Sequence, residues 1–351
     1  MSLLLANGTG FAQQKRNITY VPATNLQIVG KVDATPQAFH RIDTASFPLL
    51  PAAVKRRVVQ SGGLAISFTT NSTSVYVKWC TKETTVSATM TAVAYRGLDL
   101  YIKNDAGFWQ YAGVARPRAG QTCAATTIVQ GMDTREKECL LYLPLYDETV
   151  RLEVGVDQGA SLEAGPYPFE KRVLVYGSSI VQGAAASRPG LAYPARLARE
   201  TGIDFLNLGM GGSAKMEKVV ADMLATLPVD AFVLDCVPNS TPDQIRQRTS
   251  YLIASIRMKH PKAPIIVMQS VIRERGYFNL RSGERVRLQN EYIKEEVSKL
   301  KEKGVDDLYF VSSEGFLGHD HEGSVDGTHP NDLGFDRMIQ KIKPVLMEIL
   351  L

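Results

Sequence analysis

The sequence predicts a two-part protein: an antiparallel β-sandwich over residues 15–165, followed by a doubly wound α/β sheet over residues 166–351. Three observations carry this reading. The first half breaks into short alternating runs separated by turns, the pattern of half-buried strands. The second half alternates short, wholly apolar runs with segments of helical period, the pattern of a parallel sheet covered on both faces. Between them lies a stretch bearing Gly and Pro, residues 159–168 (GASLEAGPYP). A chain of 351 residues is long enough to give each half its own core.

In the first half, residues 64–69 (LAISFT), 74–79 (SVYVKW), 89–95 (TMTAVAY) and 98–103 (LDLYIK) read as strands, as do 139–143 (CLLYL) and 149–156 (TVRLEVGV). β-Branched residues dominate them, and no long amphipathic helix interrupts. The second half opens on residues 173–176 (VLVY), short and apolar enough for a strand buried on both sides. A helix is expected around 192–201 and a strand at 205–208. Ser213 can cap a helix whose apolar positions Met216, Val219, Val220, Met223, Leu224 and Leu227 keep a 3–4 spacing. Strands at 231–235, 265–269 and 308–311 alternate with three helices: one starting at Thr241-Pro242-Asp243, one over 285–303, and one starting near Leu333. Pro242 suits a first helical position, where a missing N–H costs nothing. The sequence contains no internal repeat and no low-complexity segment.

Hydrophobic content of 44% with 22% charged residues is that of a soluble globular chain. The net charge of +4 is small and its Lys and Arg are scattered, which argues against a nucleic-acid partner or a membrane surface. Leu3-Leu4-Leu5-Ala6 with residues 7–13 (NGTGFAQ) resembles the tail of a secretory signal and is too short to insert across a bilayer. Residues 1–14 are therefore expected to be a signal remnant or disordered, and the mature protein to work outside the cytoplasm, in the periplasm or secreted. The four cysteines, Cys80, Cys123, Cys139 and Cys236, form no CxxC pair, so no zinc or thioredoxin-type motif is present. Cys123 and Cys139 are symmetric about Gly131, as cross-strand partners in a hairpin turning at Gly131-Met132-Asp133 would be. A disulfide between them is one outcome. Two free, partly buried thiols is the preferred one, because cross-strand pairs often miss the required Cα separation.

In a doubly wound sheet, function gathers at the carboxyl ends of the strands. Four such loops carry reactive or oxyanion-stabilising groups. The first, Gly177-Ser178-Ser179-Ile180, sets a serine hydroxyl and N–H between a strand end and a helix, although Gly-Ser turns are common and carry little weight alone. In the second, Asn207-Leu208-Gly209-Met210-Gly211-Gly212-Ser213, glycine lets backbone N–H groups approach a ligand closely. A purely conformational role for those glycines explains the loop equally well in isolation. The third, Asp235-Cys236-Val237-Pro238-Asn239, ends in an amide that can donate through Nδ2 to a developing oxyanion or simply cap the next helix. The fourth, Asp326-Gly327-Thr328-His329-Pro330, can bring a carboxylate to imidazole Nδ1, which fixes the tautomer and leaves Nε2 free to take a proton from a serine. An Asx-turn with a solvated His is the plainer reading of this loop alone. All four loops in this chain order are much harder to explain by turn chemistry.

In that order Ser179, Gly212, Asn239 and His329 resemble the four blocks of the SGNH hydrolases, a branch of the GDSL lipases and esterases, over residues 173–351. The family's nucleophile follows Gly-Asp and falls on Ser179. Its second-block glycine, five residues after an Asn, falls on Gly212 counted from Asn207. The third-block Asn falls on Asn239 and the Asp-x-x-His block on Asp326 and His329. Two positions depart from the pattern: Ser178 stands where Asp is usual, and Val237 where many members have Gly before the third-block Asn. Gly97-Leu98-Asp99-Leu100-Tyr101 resembles the Gly-x-Asp-Leu-Tyr motif of a β-domain that precedes one bacterial subset of these esterases.

The resemblance implies a flavodoxin-like catalytic sheet behind a jelly-roll-like sandwich. It also implies an acyl-transfer mechanism in which His329, held by Asp326, deprotonates Ser179 for attack on an ester carbonyl. The oxyanion is then received by the N–H groups of Ser179 and Gly212 and by Asn239, and water releases the acyl-enzyme without a metal or organic cofactor. A small acyl group such as acetyl, on a carbohydrate or related metabolite, is the substrate it implies. Two other functions compete. A carbohydrate-binding protein with a retired hydrolase domain is one, and the intact Ser179, Asp326 and His329 set argues against it. A thioesterase or lipase is the other and differs only in pocket shape. His319-Asp320-His321-Glu322 is set aside as a metal site, because alternating spacing sends its imidazoles to opposite sides of an extended chain. Trp79 and Trp109 are read as packing residues, with sugar stacking on Trp109 the lesser alternative.

Overall fold

The computed structural model describes residues 17–351, so the expected remnant at 1–14 lies outside the described residues. The first half runs β1 (Ile18–Pro22), β2 (Gln27–Val29), α1 (Ala52–Val58), β3 (Ala65–Thr70), β4 (Ser74–Thr81), α2 (Ala92–Arg96), β5 (Leu98–Lys103), β6 (Trp109–Ala115), β7 (Cys123–Gln130), β8 (Lys137–Tyr142), β9 (Thr149–Asp157) and β10 (Glu163–Ala164). The second half runs β11 (Glu170–Gly177), α3 (Ser179–Gln182), α4 (Tyr193–Thr201), β12 (Ile203–Gly209), α5 (Lys218–Leu224), β13 (Ala231–Asp235), α6 (Pro242–Lys259), β14 (Ile265–Met268), α7 (Leu280–Glu302), β15 (Leu308–Val311) and α8 (Asp332–Leu350).

Two antiparallel sheets form the sandwich. One has the order β1-β9-β4-β7, the other β10-β3-β8-β5-β6 with β2 also on β3. Alternate residues of facing strands, Ile66 and Phe68, Val75 and Val77, Leu152 and Val154, meet in its core, as period-2 patterning requires. Trp79 is buried there, and its indole N–H donates to the Arg96 carbonyl at 2.9 Å.

Two expectations fail in this half. Residues 89–95 do not form a strand: Thr91 Oγ1 accepts from Ala94 N at 3.0 Å and caps α2 instead. Gly131, at φ 79°, does make a turn, but the chain changes sheets there. β7 pairs with β4, whereas β8 pairs with β3 and β5. Cys123 and Cys139 therefore lie in different sheets. Cys123 is not the free thiol expected: it is bonded to Cys80, its register neighbour on β4, with Cα atoms 4.0 Å apart. Cys139 is a buried free thiol, and burial pushes its pKa up to about 12.

The second half is a five-stranded parallel sheet in the order β12-β11-β13-β14-β15, which is 2-1-3-4-5 within this half and thus the flavodoxin-like order. Val173 and Val175 face a core built with α3, α4 and α8. Leu174 and Tyr176 face the opposite core, built with α5, α6 and α7. Thr241 starts α6 with a capping box, its side chain and that of Gln244 each accepting from the other's backbone N–H. α5 starts later than Ser213 suggests. Gly212 (φ 74°) and Met216 (φ 55°) both take left-handed backbone, so the helix cannot begin before Glu217.

The halves share one apolar core, in which Tyr101, Tyr142 and Tyr146 of the sandwich pack with α3 and α4. The Gly-Leu-Asp-Leu-Tyr segment is the plug of this joint. Buried Asp99 accepts from Arg188 Nη1 and from Gly190 N, both at 2.9 Å. Tyr101 Oη accepts from Arg199 Nη2 at 3.0 Å. Burial pushes the Asp99 carboxyl upward against the pull of Arg188. Gly97 must be glycine because a Cβ there would lie 2.5 Å from the Ala115 carbonyl oxygen.

Candidate active site

β11 ends at Gly177, where a Cβ would fall 2.3 Å from the Asp235 carbonyl oxygen on β13. Ser178 then turns inward: its N–H donates to Asp235 O at 3.1 Å and its Oγ accepts from Ile180 N at 3.2 Å. A short polar acceptor is what this N-cap needs, so Ser at this position meets the local demand. Ser179 opens α3 at the switch point between β11 and β13, with Oγ 2.9 Å from His329 Nε2. His329 Nδ1 lies 2.8 Å from Asp326 Oδ2. Asp326 Oδ1 accepts from the backbone N–H of His329 at 2.8 Å and of Thr328 at 3.0 Å. Burial opposes charge on Asp326, but the hydrogen bonds from His329 and Thr328 outweigh it and hold the carboxyl below its usual range.

The second and third loops meet this line. Gly209 is required because a Cβ would sit 2.1 Å from Gln182 N on α3. Asn207 braces the loop, donating to Val181 O at 2.7 Å and accepting from Gly209 N at 2.9 Å. Gly211 N donates to Gln182 Oε1 at 2.9 Å, and Gly211 O accepts from Arg57 Nε at 3.0 Å. At Gly212 a Cβ would meet only open space, so its positive φ alone calls for glycine. Asn239 Oδ1 accepts from Ala214 N at 3.3 Å, which ties the third loop to the second and leaves the side-chain NH₂ uncommitted.

Ser179, Gly212, Asn239 and His329 line one cleft of about 410 Å³; Asp326 stands behind His329. The sandwich forms part of the wall, through Arg57, Ser87, Thr89, Met90, Tyr95 and Tyr146. Tyr95 and Tyr146 stack with ring centroids 5.7 Å apart, and Tyr146 Oη donates to the Ser179 carbonyl at 3.3 Å. Sequence reasoning missed all six of these residues, and Arg273 on the opposite half. No local period marks them, because each reaches the cleft only through domain docking. Gln182, three residues past Ser179 and one helical turn along, was the partner most open to detection.

The other candidates lie elsewhere. Asp320 is paired with Arg337 at 2.6 Å and His321 Nδ1 with Glu274 at 2.8 Å. Among the described residues, no group of three or more His, Cys, Asp or Glu could hold a metal ion. Trp109 packs at the domain joint beside Lys103, outside the cleft.

With this geometry in view, the similarities to known proteins fall into place. Residues 170–347 match the GDSL-like Lipase/Acylhydrolase family. Residues 18–162 match the GxDLY family, described as the N-terminus of Esterase_SGNH_hydro-type. No curated protein matches the chain. Among solved structures, one described as a GDSL-like lipase from Bacteroides ovatus is 53% identical with a TM-score of 0.93, covering 95% of this chain and 98% of its own. A salicylyl-acyltransferase, SsfX3, from a tetracycline biosynthetic pathway shares the fold at 19% identity and TM-score 0.76, with 95% and 98% covered. A family two carbohydrate esterase from Clostridium thermocellum, solved in complex with cellohexaose, shares it at 14% identity and TM-score 0.60, with 82% and 93% covered. The family match over the second half, the matching β-domain before it and the 53% relative over nearly the whole length agree: the chain belongs to the GDSL-like lipase/acylhydrolase family and is an SGNH-type esterase.

Proposed function

We propose that the protein removes small acyl groups, acetyl foremost, from a carbohydrate ester outside the cytoplasm, through an acyl-enzyme on Ser179. The observation that carries this reading is the continuous line Asp326–His329–Ser179, with spacings of 2.8 and 2.9 Å. His329 Nε2 takes the Ser179 proton as Oγ attacks the carbonyl, while Asp326 holds the tautomer and supports the imidazolium. The N–H groups of Ser179 and Gly212 and the Nδ2 of Asn239 receive the oxyanion, each such donor contributing about 3 kcal/mol in the transition state. The imidazolium then protonates the departing alcohol, and water, activated by the same imidazole, releases the acid.

The polar rim supports a small acyl group on a hydroxylated substrate: Ser87, Thr89, Ser270 and Asn239 line the cleft beside Met90 and Val271. A long acyl chain asks for a wholly apolar channel instead. The Tyr95–Tyr146 stack offers apolar ring surface of the kind a sugar face packs against. The Cys80–Cys123 disulfide favours an oxidising compartment. Among the described residues, no helix is long and apolar enough to cross a membrane.

Hydrolysis of p-nitrophenyl esters of increasing chain length, alongside acetylated sugars, tests the proposal. Acetyl esters should turn over fastest, and Ser179→Ala should abolish turnover with the fold intact. Rates that climb with chain length would indicate a lipase. No turnover of any ester would leave the binding-protein reading.

A further inference from the structure

Two arginines line the cleft together with Ser179, and no Asp or Glu lines it. Arg57 reaches in from α1 of the sandwich. Its Nε is fixed on Gly211 O at 3.0 Å, and its guanidinium carbon stands 5.6 Å from the centre of the Tyr146 ring. Among the described residues its two terminal nitrogens have no acceptor and it makes no ion pair. Arg273, after β14, spends one terminal nitrogen on Pro238 O at 3.1 Å and likewise has no carboxylate partner.

The two fully buried arginines of the chain behave differently. Arg41 spends all three of its nitrogens on the carbonyls of Arg57, Gln60, Asn207 and Gly209. Arg96 spends all of its nitrogens on Thr81, Thr84, Gln121 and Asp147. The acids near the cleft do not neutralise the pair. Asp326 is engaged by His329, and Asp147 by Arg96 at 3.2 Å. Glu83 acts on Tyr95 but does not line the cleft. Burial, and then the charges of Arg285 and Arg275, disfavour the cation on Arg273, against a smaller pull from Asp326. The cleft therefore holds two guanidinium groups with no ion-pair partner among the described residues and only the more distant Asp326 to offset them, and a planar guanidinium with free N–H groups suits a carboxylate.

We propose that the natural ester carries a carboxylate near the scissile bond, bound between Arg57 and Arg273. This rests on the reading of Ser179 as the nucleophile in that cleft. The carboxylate has two possible sources, an acidic sugar such as a uronate on the alcohol side or a dicarboxylic half-ester on the acyl side.

The test measures acetate release from mono-O-acetylated methyl glucuronoside against mono-O-acetylated methyl glucoside, and hydrolysis of p-nitrophenyl hemisuccinate against p-nitrophenyl butyrate. In one arm, kcat/KM should favour the anionic member by about tenfold or more, the size of a charge-assisted Arg–carboxylate hydrogen bond. That ratio should fall as salt is raised. Arg57→Gln and Arg273→Gln should each collapse it toward one, while Arg57→Lys keeps part of it. Glucuronate or succinate should bind the wild-type protein in calorimetry where glucose does not. A preference in the sugar arm assigns the charge to the alcohol, and one in the acyl arm to the acid. No preference in either arm, with p-nitrophenyl acetate turned over, overturns the anion and spares the esterase. If no ester is hydrolysed, the esterase reading falls and calorimetry decides the anion: binding supports it, and no binding of either acid overturns it.

Discussion

Replacing Asp326 by Asn separates the orienting role of this residue from its role in the turn. The carboxylate uses both oxygens: Oδ2 faces imidazole Nδ1 at 2.8 Å, and Oδ1 accepts two backbone N–H groups at 2.8 and 3.0 Å. An amide can satisfy only one side. If its oxygen stays on the backbone donors, its NH₂ faces Nδ1, which must then give up its proton, and Nε2 becomes the protonated nitrogen that cannot act as base. If it flips, the NH₂ confronts two N–H donors and the turn loses both hydrogen bonds. The first arrangement keeps the fold and should prevail, at the expense of catalysis. The loss should approach 10⁴ in kcat, about 5.5 kcal/mol of transition-state support, as in other triads with this change. The assay is kcat and KM on p-nitrophenyl acetate for wild type and Asp326→Asn, with circular dichroism and thermal melting as fold controls. A folded variant with near wild-type turnover would refute the argument and reduce Asp326 to a turn-forming residue.

Buried Asp235, whose carboxylate accepts from Tyr193 Oη at 3.1 Å, has its pKa raised by burial to about 7. A group raised above its unfolded value of ~3.9 contributes stability that is complete below that pH and lost as pH rises through 7. Asp235→Asn should remove most of this decline between pH 4 and 7, worth up to about 4 kcal/mol at pH 8, read by urea titrations across the range. Asp99→Ala strands Arg188 and the Gly190 N–H at the domain joint and should cost about 3 kcal/mol in urea unfolding, toward the lower end for a buried pair because Arg188 is 22% exposed. A stability equal to wild type would show that the joint does not depend on the Asp99–Arg188 pair. Opening the Cys80–Cys123 bridge, which spans 43 positions in an outer sheet away from the cleft, should lower stability by about 2–4 kcal/mol on Cys80→Ser/Cys123→Ser substitution while leaving kcat at 25 °C unchanged.

The legible parts of this chain are those where local chemistry and tertiary demand coincide. Residues 308–311 read as a strand and form β15, and Thr241-Pro242 read as a helix start and carries a full capping box. Residues of the four loops line one cleft: three of the loops follow strands of the parallel sheet, which deliver their ends to one edge, and the fourth leads into α8. Apart from the local Thr91 cap, the illegible features depended on partners distant in sequence. Residues 89–95 alternate as a strand does, yet the Thr91 cap decides for helix. Met216 keeps helical spacing but sits at φ 55°, with its N–H 3.2 Å from the Tyr176 hydroxyl. The symmetry of Cys123 and Cys139 about Gly131 is real, and the change of sheet at that glycine sends them to different neighbours.

The same dependence on distant partners ties the sandwich to the candidate active site. On the role proposed for Gly212, an oxyanion donor works because it is already aimed before charge develops, so whatever immobilises the 207–212 loop would contribute to catalysis. Much of that support comes from the first half. Arg41, wholly buried with no carboxylate beside it, donates from one nitrogen to Asn207 O at 3.1 Å and to Gly209 O at 2.9 Å. Burial pulls its pKa down to about 9, a sign of how poorly solvated this cation is. Arg57 holds Gly211 O, and Gln60 accepts at 2.7 Å from Gln182, which in turn accepts from Gly211 N. Gly63 has no side chain because a Cβ would lie 2.4 Å from the Cβ of Asn207, so the two backbones close on each other there. Each of these contacts ends on the loop that carries Gly212, the one from Gln60 by way of Gln182. The catalytic half alone would retain its serine, histidine and aspartate but lose the clamp on that loop, together with the wall formed by Tyr95, Tyr146 and Arg57. On the proposed reading, the sandwich would act on the reaction in two ways: by holding the loop of Gly212 still, and by supplying part of the wall of the cleft.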